Sequence, residues 1–207
     1  MSTIKLYRHA LSGHAHRAEA LLSILGLDFE LVNIDLANGE HKKEEYLKIN
    51  AFGQVPALKD GDSIISDSNG ILVYLAKKYD ASKTWLPENP EAAAEIQKFL
   101  SVAAGKIAFG PAAARLVNVF GAGLDHQNAI DISHAILAEF DKHLSGQNWL
   151  VGNNPTIADI ANYAYIAHAP EGDVSLEAYP HVSAWLGRIE KLHGFVPMQS
   201  TAVGLAV

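Results

Sequence analysis

The chain has 207 residues, enough for one or two domains with a core of ordinary size, and its 49% hydrophobic and 19% charged residues mark it as globular. A net charge of −7 argues against a nucleic-acid surface as the main function, although local donors can still hold a small anion. Cysteine is absent, which excludes a disulfide, a thiolate metal site and a cysteine nucleophile, so any thiol chemistry must bring its own sulfur.

The opening MSTIKLYRHA lacks a basic start followed by a long apolar core, so no leader is expected. No window approaches ~18 uninterrupted apolar residues, so no membrane span is expected and the cytosol is the default location. Ile4-Lys5-Leu6-Tyr7 reads as a short strand and residues 8–13 (RHALSG) as a polar turn. From His14 to Leu25, Ala18, Leu21, Leu22 and Leu25 recur at helical spacing, with Gly26 as the stop. Phe29 to Asp35 (FELVNID) reads as a second strand, and residues 40–49 as a short, charged, weakly helical segment.

Residues 50–70 (NAFGQVPALKDGDSIISDSNG) organise this half of the chain. Gln54-Val55-Pro56 puts a proline at the entrance to a strand at Ala57-Leu58-Lys59, where a missing N–H is tolerated only at a special position. X-Pro is the one peptide bond whose cis form is inexpensive, about 0.5–1 kcal/mol. A cis bond here is expected to turn the Val55 N–H and C=O away from its own sheet. Asp60-Gly61-Asp62 is a hairpin turn signal, and a second strand follows at 63–65. Asp67-Ser68 then stands before a helix over 68–79 that carries Ile71, Leu72 and Leu75. Both residues suit a helix N-terminus, whose free N–H groups bind carboxylates. A peptide-like backbone edge beside a carboxylate cradle is a site for a small extended peptide.

Residues 80–90 (DASKTWLPENP) are linker-like, and the strand signal disappears after them. Glu91 to about Phe109 reads as a helix that Gly110-Pro111 should break or kink before Ala112–Phe120 resumes. Asp125 to Leu144 is amphipathic, Thr156-Ile157-Ala158-Asp159 is a capping signal entering an apolar helix over 157–168, and His181–His193 is a further helix. The expected layout is therefore α/β plus all-α: a βαβαββα thioredoxin-like domain over 1–80, a linker over 81–90 and a helical bundle over 91–207.

Val-Pro before a strand, Asp-Ser at a helix start, and an α/β half joined to a helical half resemble the glutathione S-transferase superfamily, and the resemblance covers almost the whole chain. That family has tyrosine, cysteine and serine types. With no cysteine, and with Ser12 and Arg17 spaced as Ser-x4-Arg, this chain resembles the serine type, close to the phi and theta branches and to bacterial members. The resemblance implies that the Ser12 hydroxyl donates a hydrogen bond to the glutathione sulfur; a serine hydroxyl is too weak an acid to serve as base. A free thiol has a pKa of about 8.5. A hydrogen bond to a charged group contributes roughly 1.5–3 kcal/mol, which lowers that pKa by about 1–2 units. The adjacent helix N-terminus adds ~0.3–1 kcal/mol. The bland alternative is that Ser12 is a plain helix cap. Tyr7 competes as thiol activator but reads better as a core-facing strand residue. Arg17 could polarise the serine or meet a carboxylate of glutathione; a solvated charge on a helix face fits equally well.

Gly39-Glu40-His41-Lys42 resembles a segment of serine-type members in which His and Lys reach the glycine carboxylate of glutathione, although EHKKEE alone reads as a solvated charge run. By the same resemblance Gln54 and the Val55 backbone hold the peptide, Pro56 is the cis residue, and Asp67 and Ser68 bind the γ-glutamyl end. Asp67 stands where glutamate is more frequent, and Asn50-Ala51 departs from the usual Asn-Pro. A pocket for a hydrophobic electrophile is expected against the helix carrying Phe109, Arg115 and Phe120. The ten histidines show no metal-ligand spacing, so no metal is expected, and Thr156 and Asp159 read as structural. The expected activity is conjugation of glutathione, as co-substrate, to a hydrophobic electrophile by a cytosolic homodimer without nucleic-acid or membrane partners. The alternative is a ligand carrier or scaffold of the same fold that performs no catalysis.

Overall fold

A computed structural model describes residues 3–205. Its sheet order is β2-β1-β3-β4, built from β1 (Ile4–Arg8), β2 (Phe29–Asn33), β3 (Ala57–Asp60) and β4 (Ser63–Ser66). β1 runs parallel to β2, as a helical crossover requires, and antiparallel to β3. Asp60 pairs with Ser63, so the hairpin loop is Gly61-Asp62, and Gly61 takes the positive φ of 60° that this tight turn needs. Helix α1 (Gly13–Ile24) provides the crossover, and α3 (Ser68–Tyr79) packs beside it. A 3₁₀ turn (Glu40–Lys42) and the one-turn α2 (Glu44–Leu47) fill the charged segment before β3. Leu21 and Leu22 of α1, Ile71, Leu72 and Leu75 of α3, and Leu6 and Leu58 of the sheet are fully buried together. Each contributes roughly 1.5–3 kcal/mol of apolar burial.

The chain divides into two compact units. The first runs to Lys83 and also takes in His193–Gln199; the second runs from Thr84 to Leu192 and takes in the chain from Ser200 on. The first is the mixed four-stranded sheet with its helices; the second is all-helical. It contains α4 (Pro90–Ala104), α5 (Ala113–Phe120), α6 (His126–Leu144), α7 (Ile157–Ala167) and α8 (Pro180–Ile189). The expected break at Gly110-Pro111 takes a milder form. Helix α4 ends at Gly105, and residues Ala108–Ala112 form a π-helical turn that leads directly into α5. A wider turn makes room for the proline ring, which lacks an N–H and would clash with the preceding carbonyls of a regular helix. Helix α8 stops at Ile189, four residues short of the expected end.

Contrary to the sequence expectation, one helical run, Pro90–Phe120, is long and apolar enough to cross a membrane by length and composition. Half of its most apolar window is buried inside the structure, and Ile96, Phe99, Leu100 and Ala103 form its buried stripe. That pattern is the one a core helix shows.

Two buried carboxylates hold the helical unit together. Asp159 completes the capping box of α7, accepting from Thr156 N at 2.8 Å, and reaches Leu150 N at 3.0 Å and Trp185 Nε1 at 2.9 Å. Glu171 accepts from Arg115 Nε at 2.6 Å, from the Thr201 amide at 3.0 Å and from the Thr201 hydroxyl at 2.7 Å, and meets His168 Nδ1 at 2.7 Å. Burial would raise Glu171, but hydrogen bonds from His168, Thr201 and Arg115 outweigh it and hold the carboxyl at about 2. Replacing Asp159 by alanine leaves several donors buried without partners. It is expected to cost about 3 kcal/mol or more in urea unfolding. A depressed carboxyl stabilises the fold above its unfolded value and loses that contribution as pH falls through the folded one. Wild-type stability should therefore drop between pH 4.5 and about 2, and Glu171→Gln should flatten that part of the profile.

Candidate functional site

Two helix N-termini of the first unit carry the expected site residues. Ser12 is the N-cap of α1; its backbone is extended and its Oγ accepts from Ala15 N at a long 3.3 Å. Asp67 is the N-cap of α3 and accepts from Gly70 N at 2.8 Å. It holds a φ of +80°, a conformation that L-residues rarely adopt and that costs of order 1–3 kcal/mol where it persists. Asp67 is exposed, whereas Ser68, the first residue of α3, is buried.

Arg17 joins the two ends. Sequence left open a solvated charge, but the side chain is 1% exposed, and its Nη1 donates to Ser68 Oγ at 3.0 Å and to His14 Nδ1 at 2.9 Å. A guanidinium can only donate, so the His14 ring is neutral with its proton on Nε2. Burial, and then the Arg17 charge, push His14 down to about 3. A buried cation behind two helix N-termini makes this corner favourable to anions in a chain that is acidic overall.

The second group lies in the loop before β3. Lys42 Nζ donates to Gly53 O at 2.9 Å and to Phe52 O at 3.4 Å, so it braces this loop. His41 is half-buried, and its Nδ1 has no partner among the described residues. Gly53 has a φ of +57°, and a Cβ there would lie 2.7 Å from His41 O. Close packing of the 41–42 and 53 backbones thus requires glycine. Gln54 is exposed, and its carbonyl is held by Tyr46 Oη at 2.7 Å and Asn50 Nδ2 at 2.8 Å. The Val55-Pro56 peptide bond is cis. Neither main-chain group of half-buried Val55 makes a hydrogen bond among the described residues.

Several expected residues stand elsewhere. Tyr7 was expected to face the core; it alternates with buried Leu6, so it takes the opposite face of β1, edge-on to Tyr46 with ring centroids 6.2 Å apart. Arg115, expected to line a second-substrate pocket, is 1% exposed and paired with Glu171, which makes it part of the frame of the helical unit. Phe109 is 67% exposed, and Phe120 is also exposed. Among the described residues no group of three or more His, Cys, Asp or Glu could hold a metal ion.

Sequence reasoning missed Tyr46, Asn50 and His14. Tyr46 and Asn50 act on a main-chain carbonyl, for which no side-chain pattern exists. The spacing of His14 and Arg17, three apart on a helix, was the available signal.

A thioredoxin-like unit followed by an all-helical unit, with a peptide edge beside two helix N-termini, defines the two-domain transferase architecture. The N-terminal domain family of glutathione S-transferases matches residues 2–77 and the C-terminal domain family matches residues 125–192. Glutathione S-transferase 3 of Zea mays is 35% identical over 200 residues, covering 89% of this chain and 88% of the maize protein. Among solved structures, a glutathione S-transferase from Pseudomonas fluorescens is 29% identical with a TM-score of 0.89, covering 96% of this chain and 100% of that one. A glutathione transferase homolog from Drosophila mojavensis, solved with bound glutathione, is 29% identical with a TM-score of 0.85 over 93% and 89% of the two chains. The chain belongs to the glutathione S-transferase superfamily.

The His14 ring should stay neutral on acidification until about pH 3, and its proton signals should show no titration near 6.5 in NMR spectra. Arg17→Met removes the neighbouring charge and should move that titration upward. A depressed base contributes stability above its unfolded value and loses it as pH falls through the folded one, so the variant should also lose less stability between pH 6.5 and 3 than wild type.

Proposed function

We propose that this protein is a serine-type glutathione transferase that joins the glutathione sulfur to the electrophilic carbon of a hydrophobic second substrate. The observation that carries this reading is buried Arg17 of α1 donating to Ser68 at the start of α3, with Ser12 as the N-cap of α1. Ser12 spends a lone pair on the Ala15 amide, and its O–H remains to donate to a thiolate at the N-terminus of α1. Arg17 donates to Ser68 Oγ, so the Ser68 proton is directed elsewhere, towards the γ-glutamyl carboxylate. In this reading Asp67 receives the γ-glutamyl ammonium. Val55 pairs its main-chain groups with the peptide, with Gln54 beside it. His41 meets the glycine carboxylate, while Lys42 mainly holds the loop in place.

Chemically, the thiol proton passes to solvent and the Ser12 hydroxyl stabilises the sulfur anion by hydrogen bonding. With an activated halide the sulfur–carbon bond forms as halide departs with the bonding pair. With an unsaturated carbonyl the new bond forms at the β-carbon and the α-carbon takes a proton. Exposed Phe109 supports a hydrophobic second substrate. The homodimer and the cytosolic location belong to the same reading and are supported by family membership.

The Ser12 cap bond also favours a second reading, a non-catalytic glutathione-binding protein in which Ser12 only starts the helix. The ultraviolet thiolate band of bound glutathione, titrated in wild type and Ser12→Ala, separates the two. Transfer chemistry requires a thiol pKa lowered by about 1–2 units in wild type and restored in the variant, with binding retained. Identical titrations with intact binding would establish the cap-only role.

A further inference from the structure

A cavity of about 400 Å³ opens in the first unit, against the sheet face that carries Tyr7. Of the residues that shape the glutathione site proposed above, it shares Tyr46, whose hydroxyl points to the Gln54 carbonyl. Tyr7 and Tyr46, edge to face, and Val32 form its apolar part. Asp35, Glu40 and Glu45 stand around it against one ammonium, Lys43. The volume lies in the range of small-ligand pockets.

Its chemistry is one-sided. Ionised carboxylates only accept hydrogen bonds. The Asp35 carboxylate is held below its usual range by hydrogen bonds from the Asn38 side chain and amide, so it stays charged at neutral pH. Glu40 uses one oxygen on the Asp35 amide. Glu45 is exposed and its carboxylate has neither a hydrogen bond nor an ion pair among the described residues, and the Tyr7 hydroxyl also lacks a hydrogen-bond partner there. Tyr46 is buried beneath this surface, and half-buried Tyr7 offers the ring on which a cation or an aromatic body can rest.

We propose that this cavity is a second ligand site, selective for small aromatic ammonium ions. The ring lies against Tyr7 and Val32, above buried Tyr46, and the ammonium is held by Glu45 with Asp35 and Glu40 behind it. The site differs in preference from the anion-favouring corner at the two helix N-termini, so the two ligands do not compete. It stands whether or not the protein performs transfer chemistry.

The test is an NMR titration of the full chain with protonated tryptamine, and with indole-3-propionate as the anionic counterpart of similar shape. Tryptamine should shift the amide signals of Tyr7, Val32 and Tyr46 saturably, and the anion should leave them in place. Glu45 is exposed, so Glu45→Gln should leave the fold intact and weaken tryptamine roughly two- to fivefold, the range of a solvent-exposed charge pair. Any one of three results would overturn the proposal. These are no shift at concentrations up to about 10 mM, the weak end of specific binding; equal shifts by both compounds; or unchanged tryptamine affinity in Glu45→Gln.

Discussion

The buried guanidinium of Arg17 is the constraint around which the first unit is arranged. Arginine cannot shed its proton, so everything that approaches it must accept. Ser68 does so with its hydroxyl oxygen and His14 with an unprotonated ring nitrogen. The side chain starts one turn into α1 and ends at the first residue of α3, and it thereby sets the mutual register of two helix starts. Whatever anion is received there meets a preorganised pair of N-termini, because the ordering cost is met during folding.

The helical unit answers the same physical problem with carboxylates, and its two cases differ instructively. Asp159 is surrounded by neutral donors only, namely amides, a hydroxyl and an indole N–H, and burial dominates, so its carboxyl rises above its usual value. Glu171 is less deeply enclosed and receives hydrogen bonds from an imidazole and a guanidinium as well as from Thr201, and its carboxyl falls. Depth of enclosure and the number and kind of donors together set the direction. The first arrangement closes a local cap; the second clamps chain segments far apart in sequence.

Local signals carried most of the fold. Alternation along β1, the apolar spacing of α1 and α3, the Asp-Gly hairpin and the Thr156–Asp159 box each act over a few residues and were legible without a structure. Gly110-Pro111 was read correctly as a disturbance, but its outcome as a π turn depends on how the flanking helices pack. The site was legible where backbone chemistry defines it, as at Pro56 and the Asp67-Ser68 helix start. Partnerships at long range were not. Arg17 finds Ser68 across 51 residues and Arg115 finds Glu171 across 56. Nothing in a one-dimensional charge pattern separates such arginines from solvated ones. Tyr7 was misjudged because a strand alternates faces, and its register became visible only once Leu6 was seen to be buried.

The segment His193–Gln199 belongs to the first unit although it follows the helical one in sequence. His16 Nε2 meets Val196 O at 2.8 Å, its ring packs edge-on to Phe195, and Gly194 is pressed against the Ser23 carbonyl, where a Cβ would come within 2.7 Å. The first unit is therefore discontinuous, its surface completed by residues more than a hundred positions downstream. On a ribosome it cannot reach its final form until synthesis has passed Gln199. A fragment cut at the linker would leave α1 uncovered on that side, so it would lack part of the packing that completes the unit.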